Sequence, residues 1–384
     1  VDICRRARLI LQTLDIKNNC KGVFYRNRVI EDPDSQILKK CKYTWKYSNI
    51  LENYDYEYLS LYLRGQDLEQ YADDIDAFTE IRDTILSQQK AAKIAKVELQ
   101  NQCFFNILPE FQIKKWFSLR HSALERVLDQ VPRPPEYDIL YKAHVLCSFI
   151  SKRNFIYQDK LGSIDYNIFG SVTGRLTTKK GSIPILTMKK KERRHLRPNN
   201  TAFLELDFNA AEVRTLIALS GQEQPIGDIH NWISKLIYDG KLPREKVKTE
   251  LFAWLYNFSA SENELSRIFS RQIFRDFYSK RTGILKTPFK REIKVEERKA
   301  QNYLLQSTTS DIVIENAYKI MKILSDKKSD IAFLLHDSII IDLHKDDIQL
   351  IKDLKSIFEK TAWGNFKSTC KVGKHFGLLR EMKI

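Results

Sequence analysis

The chain is predicted to be an α+β protein built on an antiparallel sheet, and three stretches carry that expectation. Residues 202–207, Ala-Phe-Leu-Glu-Leu-Asp, alternate like a strand and run into a helix from about Ala210. Residues 331–343 are two apolar runs, IAFLL and IIIDL, on either side of the polar trio His336-Asp337-Ser338, the pattern of strand, turn and strand. Between these places, residues 225–325 read as almost wholly helical. Strands at either end of a helical region place the chain in the α+β class.

The remaining elements follow in chain order. Residues 1–75 mix short possible strands at 21–30 with tyrosine- and charge-rich stretches and carry no chemical motif. Apolar spacing is helical over 78–103 and again over 109–131. The acids Asp73, Asp74 and Asp76 read as a solvated turn that opens the first of these helices. Val131-Pro132-Arg133-Pro134-Pro135 then breaks the chain before a helix over 137–155. A strand-like run at 164–169 leads into Gly170 and Thr173-Gly174-Arg175-Leu176. The loop at 179–197 holds eight Lys/Arg and one Glu, so it is either a solvated charged loop or a phosphate-contacting patch.

With 384 residues, the chain is long enough for two or three packed units. Its formal charge of +15 points to a polyanionic partner, against the plainer reading of a lysine-rich solvated surface. Because it is also 43% hydrophobic, the charge belongs to a globular protein and not to a disordered tail. Six cysteines lie far apart with no C-x-x-C pair, which argues against a zinc ribbon or a disulfide scaffold and fits a reducing compartment. No apolar run reaches the roughly 20 residues of a membrane helix, and no signal peptide is visible. A cytoplasmic or nucleoid-associated location and no membrane partner are therefore expected. The opening at Val1 is what a fragment of a longer chain would show.

Asp207 and Asp337 both follow apolar, strand-like residues, where an ionised side chain is costly without a partner. Taken singly, each could merely begin a turn or cap a helix. Taken together, two aspartates on adjacent strands are sufficient protein ligands for two Mg²⁺ ions about 3.5–4 Å apart, the arrangement that serves in-line nucleotidyl transfer. Between them, Arg244, Lys248, Phe252 and Tyr256 recur every four residues and form one helical stripe. Cation, cation, aromatic, aromatic is the order that a nucleoside triphosphate demands, with phosphates first and a flat base last. The plainer alternative is an amphipathic helix with Phe252 and Tyr256 in the core. Arg298, Asn302 and Gln306 make a second stripe at the same spacing. Its long donors could reach minor-groove acceptors that all base pairs share, or simply face solvent.

With these residues in place, the chain from about Phe78 onward resembles the family A DNA polymerases. Leu206-Asp207-Phe208-Asn209-Ala210-Ala211-Glu212-Val213-Arg214 is similar to the family's motif A, Arg244 to Tyr256 to motif B, and His336-Asp337-Ser338 to motif C. Thr173-Gly174-Arg175-Leu176, Asp228-Ile229-His230 and the Arg298-Asn302-Gln306 stripe match further family segments, and all six stand in the family's order. The resemblance implies a right-hand polymerase fold: an N-terminal segment to residue 77, a helical thumb at 78–155, an antiparallel-sheet palm at 156–224 and 311–384, and helical fingers at 225–310. It implies a template-directed DNA polymerase with Asp207 and Asp337 as catalytic metal ligands for two Mg²⁺ ions, or Mn²⁺. The incoming dNTP would meet Arg244, Lys248, Phe252, Tyr256, His230 and Glu212, the last of these blocking a ribose 2′-hydroxyl. Primer-template DNA would meet Arg175, Arg298, Asn302, Gln306 and His336.

Three departures stand out. Ser338 takes the place of the usual motif C glutamate, Asn257 follows the motif B tyrosine where the family has glycine, and Pro184-Ile185-Leu186-Thr187-Met188 lacks the amides of its counterpart. No proofreading exonuclease motif is recognisable. The rival expectations are a single-subunit RNA polymerase, whose motif C reads H-D-S but which needs a small residue in place of Glu212, and a polymerase-like binding protein without activity.

Overall fold

In a computed structural model, the described residues are 22–25, 28–31, 36, 43–44, 63, 67–98, 107–132, 134–256, 264–267, 269 and 272–382. The chain divides into two compact units, residues 1–137 and 138–384.

The first unit holds a small antiparallel sheet in the order β2-β1-β3, from β1 (Gly22–Tyr25), β2 (Arg28–Glu31) and β3 (Tyr43–Thr44). The first two fall where short strands are expected at 21–30. Helix α1 (Ile75–Ile94) starts where the Asp74 carboxylate accepts from the Ala77 N–H at 2.9 Å. It buries Phe78, Ile81, Ile85 and Ala92, a stripe at three- and four-residue spacing. Helix α2 (Glu110–Gln130) follows Pro109 and packs Trp116 against Phe78 with ring centroids 5.4 Å apart.

All but the first residue of α3 (Tyr137–Ser151) belongs to the second unit, and the helix ends four residues before the expected boundary because Asn154 already begins a strand. Strands β4 (Asn154–Tyr157) and β5 (Lys160–Ser163) form a hairpin, and β6 (Tyr166–Asn167) pairs with β7 (Thr177–Thr178). The run at 164–169 is therefore strand for only two residues. Strand β8 (Ala202–Phe208) precedes helices α4 (Ala211–Leu219), α5 (Ile229–Tyr238) and α6 (Arg244–Tyr256), and then α7 (Gln272–Phe277).

The helical expectation for 225–325 is corrected here. A three-stranded sheet of β9 (Tyr278–Ser279), β10 (Ile284–Lys286) and β11 (Glu292–Lys294) interrupts it. These strands are two or three residues long, and three of their eight residues are charged, so they are too short for a period to register. Helix α8 (Glu297–Leu324) completes the region, and its helices and small sheet share one apolar core that includes Val247, Leu251, Trp254, Leu285, Ile293 and Leu304.

The main sheet adds β12 (Asp330–Leu334) and β13 (Ser338–Leu343). After helix α9 (Ile351–Glu359) and the hairpin β14 (Lys360–Thr361) to β15 (Gly364–Asn365), it is completed by β16 (Ser368–Gly373) and β17 (Arg380–Glu381). Its order is β12-β13-β8-β16-β17, antiparallel throughout. Strand β8 is central and buried except at Asp207, so its expected alternation disappears because both faces are covered. On one face Phe208 stacks on Phe358 of α9 at 4.0 Å. On the other, Phe203 and Phe333 meet Phe155 of β4, with Phe333 also touching Phe376 edge-on at 5.1 Å. The observed architecture is α+β, as the sequence predicts. No described helix is long and apolar enough to cross a membrane.

Candidate active site

The ladder between β8 and β13 sets Asp207 opposite Ser338, so Asp337, at the turn from β12, lies beside Asp207. The Phe208 N–H donates to the Asp337 carbonyl at 3.2 Å, which ties the turn to the end of β8. Burial pushes the Asp207 carboxyl up to about 7, helped by the charges of Asp337 and Glu205 and opposed by Lys371. Asp337 keeps exposed surface, yet the protein packed around it still pushes its carboxyl upward, with His336 and Arg175 pulling it back. His336 is likewise exposed, yet the protein packed around it and Arg175 hold it below its ordinary value, against Asp337 and Glu212.

Two neighbouring acids that both resist ionisation are a poor resting arrangement and a good seat for a divalent cation, which favours the charged form of each. Among the described residues no group of three or more His, Cys, Asp or Glu could hold a metal. Asp207 and Asp337 are a pair of carboxylates, a donor type that Mg²⁺ accepts while keeping water and phosphate oxygens in its shell.

A tight turn joins β8 to α4. Ala210 takes the left-handed conformation, φ 53° and ψ 54°, at a cost of about 1–2 kcal/mol for a residue with a side chain. The turn sets Glu212 in the first turn of α4. Its two oxygens are both engaged: Arg175 donates from Nη2 to Oε1 at 2.5 Å, and the Tyr256 hydroxyl donates to Oε2 at 2.5 Å. Three distant motifs therefore meet on one carboxylate. Arg175 is positioned by Gly174, whose φ of 74° needs glycine. A Cβ at Gly174 would lie 2.7 Å from Cζ of Arg291, so the chain passes flat across that guanidinium. Arg291 forks onto the fully buried Asp311 through contacts of 2.8 to 3.1 Å.

The four-residue stripe lies along α6. Val247, Leu251, Trp254 and Leu255 are buried, whereas Phe252 and Tyr256 are 37% and 43% exposed, so the alternative that put them in the core does not hold. Their rings stack at 5.8 Å with 14° between planes, and the Lys248 ammonium stands 6.0 Å from the Phe252 centroid. Arg244 donates from Nη2 to Asp228 at 3.1 Å, and the same aspartate caps α5 by accepting from the His230 and Asn231 N–H groups at 3.0 Å. His230 is buried; burial and the nearby Arg244 and Lys248 hold it below its ordinary value, against Asp228 and Glu245. Arg298, Asn302 and Gln306 all lie on α8; Arg298 pairs with Glu296 at 2.6 Å, and Oδ1 of Asn302 has no hydrogen-bond partner. Asn257 lies outside the described residues.

Two charged neighbours of Asp207 escaped the sequence reading. Lys371 of β16 and Glu205 of β8 form a cross-strand pair, with Nζ 2.8 Å from Oε2 of Glu205 and 3.8 Å from Oδ2 of Asp207. Only the strand alternation of 202–207, which sets Glu205 on the face of Asp207, hinted at the first of them.

No family model matches the chain. A curated relative, DNA polymerase I from Chloroflexus aurantiacus, is 23% identical over an alignment that covers 50% of this chain and 26% of the relative. The chain thus spans about a quarter of that protein's length. Among solved structures, the polymerase domain of Pol1 from M. smegmatis, in complex with DNA primer-template and dNTP, is similar over 80% of this chain and 67% of that one, with TM-score 0.49 and 14% identity.

Proposed function

We propose that this chain, a divergent family A-like polymerase, is a template-directed DNA polymerase that adds deoxynucleotides to a primer 3′ end. The observation that carries the reading is the meeting of Asp207 and Asp337 at adjacent strand ends, with both carboxyls raised. Asp207 and Asp337 would hold two Mg²⁺ ions, or Mn²⁺, which supply Lewis-acid activation of the primer hydroxyl and charge neutralisation at the phosphates. The protein's own residues do the rest. Lys248 and Arg244 present cations where the β- and γ-phosphates lie, Phe252 and Tyr256 offer a stacked aromatic surface to the base, and His230 stands beside the two cations. Glu212, fixed from both sides, occupies the place of a ribose 2′-hydroxyl. His336 and Arg175, beside Asp337, would meet the primer end. The α8 donors Arg298, Asn302 and Gln306 would read the minor groove of the new pair.

By this reading, residues 78–155 are the thumb, 156–224 and 311–384 the palm, and 225–310 the fingers. The engaged Glu212 favours it over a ribonucleotide polymerase. The test is primer extension on a primed DNA template, with dNTPs and then NTPs, with and without Mg²⁺. Metal-dependent extension with dNTPs alone is expected. Equal use of NTPs would replace the proposal with an RNA polymerase, and absence of extension despite tight duplex binding would leave a binding protein.

A further inference from the structure

We propose that Lys371 is a built-in counter-cation of the carboxylate cluster and that its charge sets how tightly the Asp207–Asp337 pair takes a divalent ion. The inference deepens the polymerase reading and rests on it. Strand β16 runs antiparallel to β8, with Thr369 opposite Asp207 and Lys371 opposite Glu205. Residues opposite one another in such a ladder share a face, and so do residues two apart on one strand. Lys371, Glu205 and Asp207 therefore form one cluster at the sheet centre, and the ammonium reaches both acids, at 2.8 and 3.8 Å.

The pair is not an ordinary surface salt bridge. The Glu205 side chain is 11% exposed and that of Lys371 32%, so each charge would be costly without the other. Ser338, directly across from Asp207 on β13, brings a hydroxyl to this row where a carboxylate would have added a further negative charge. Glu205 is consequently the third acid of the neighbourhood, and it is already neutralised. An ammonium is a compact charge with three donors on a flexible stem, so it can bridge two carboxylates at once. A divalent ion bound by Asp207 meets that positive charge about 4 Å from one of its ligand oxygens, and like charges at such range weaken binding.

The test is Mn²⁺ binding to the full chain without DNA or nucleotide, followed by the electron paramagnetic resonance signal of free Mn²⁺. Lys371→Met should tighten the dissociation constant by roughly five- to ten-fold, and Lys371→Arg should stay within about two-fold of the unaltered protein. Unchanged or weaker binding in Lys371→Met overturns the proposal. Glu205→Gln/Lys371→Met is compared with Glu205→Gln alone, a pair in which no acid is left buried without a partner. The gain should persist there. A gain confined to the single Lys371 variant overturns the proposal, since it would mean that a freed Glu205 had become a ligand. Asp207→Asn and Asp337→Asn separate the two levels. If both bind Mn²⁺ as well as the unaltered protein, the metal site of the polymerase reading fails, whatever Lys371 does.

Discussion

Glu212 and Tyr256 are joined by a hydrogen bond of 2.5 Å that reaches from the first turn of α4 to the end of α6. Burial and this bond push the tyrosine hydroxyl above its ordinary value, so it stays a donor. The carboxylate is held on its other side by Arg175, which leaves it little freedom to swing away from an incoming sugar. Glu212→Ala should therefore raise ribonucleotide incorporation by roughly ten-fold or more, because a hydroxyl would no longer meet a fixed acid, while dNTP use falls by a smaller factor. Ratios of kcat/KM for dNTP and NTP check this. A small stability loss with no change in sugar preference would make Glu212 a mere helix-start carboxylate.

Asp207→Ala and Asp337→Ala should each lower extension by about 10³-fold or more, the scale of removing one metal-holding group from a charge-stabilised transition state. Duplex binding should persist and weaken steeply with salt, since on the proposed reading Lys and Arg contacts to phosphates would supply it. Single-turnover extension and fluorescence anisotropy read the two separately. Parallel loss of both would indicate a folding defect.

The raised Asp207 carboxyl makes metal-free stability depend on pH. Its ordinary value is 3.8 and its folded value about 7, so between these the folded state holds a proton that the unfolded chain has released. The contribution of Asp207 to stability is greatest below about 4 and is lost as pH rises to about 7. Metal-free Asp207→Asn should therefore melt a few degrees higher than the unaltered protein at pH 7.5, with the gap closing towards pH 4. Thermal melts in chelator across that range test it, and adding Mg²⁺ should raise the melting temperature of the unaltered protein alone.

Gly174→Ala should destabilise by about 1–3 kcal/mol, since a methyl there meets Arg291 in a backbone conformation that resists a side chain. Arg291→Met should cost about 3–5 kcal/mol because it strands the fully buried Asp311. Denaturant midpoints measure both. If Gly174→Ala leaves stability intact but slows extension, the glycine serves the placement of Arg175 and not the packing.

How much of this was legible in the sequence depends on the range over which each residue acts. The strand ending in Asp207 and the hairpin around Asp337 were readable because their apolar runs are long and bounded by polar turns. The α6 stripe was readable as a period, although its outward face was not, since exposure depends on which side the core takes. The β9–β11 sheet was hidden by strands too short to show alternation. Lys371 was hidden for a different reason: one lysine among 64 basic residues carries no signal until a sheet register sets it opposite Glu205. The Arg291–Asp311 pair is likewise a product of tertiary packing, which no local pattern announces.

The ladder of β8 and β13 has a consequence for how the protein comes to life. The spacing of Asp207 and Asp337 is fixed by backbone register, through the Asp207–Ser338 pairing and the Phe208 N–H on the Asp337 carbonyl. A slip of one residue would turn Asp207 to the opposite face and abolish the pair. The two aspartates are also far apart in the chain, with the whole α4–α8 region between them, so their meeting closes a loop of about 130 residues, a long-range pairing of the kind that slows folding. If the pair takes up Mn²⁺ as proposed, uptake during refolding would mark the moment at which the sheet has locked in register, and a chain still on its way to that state would hold ordinary, solvated aspartates.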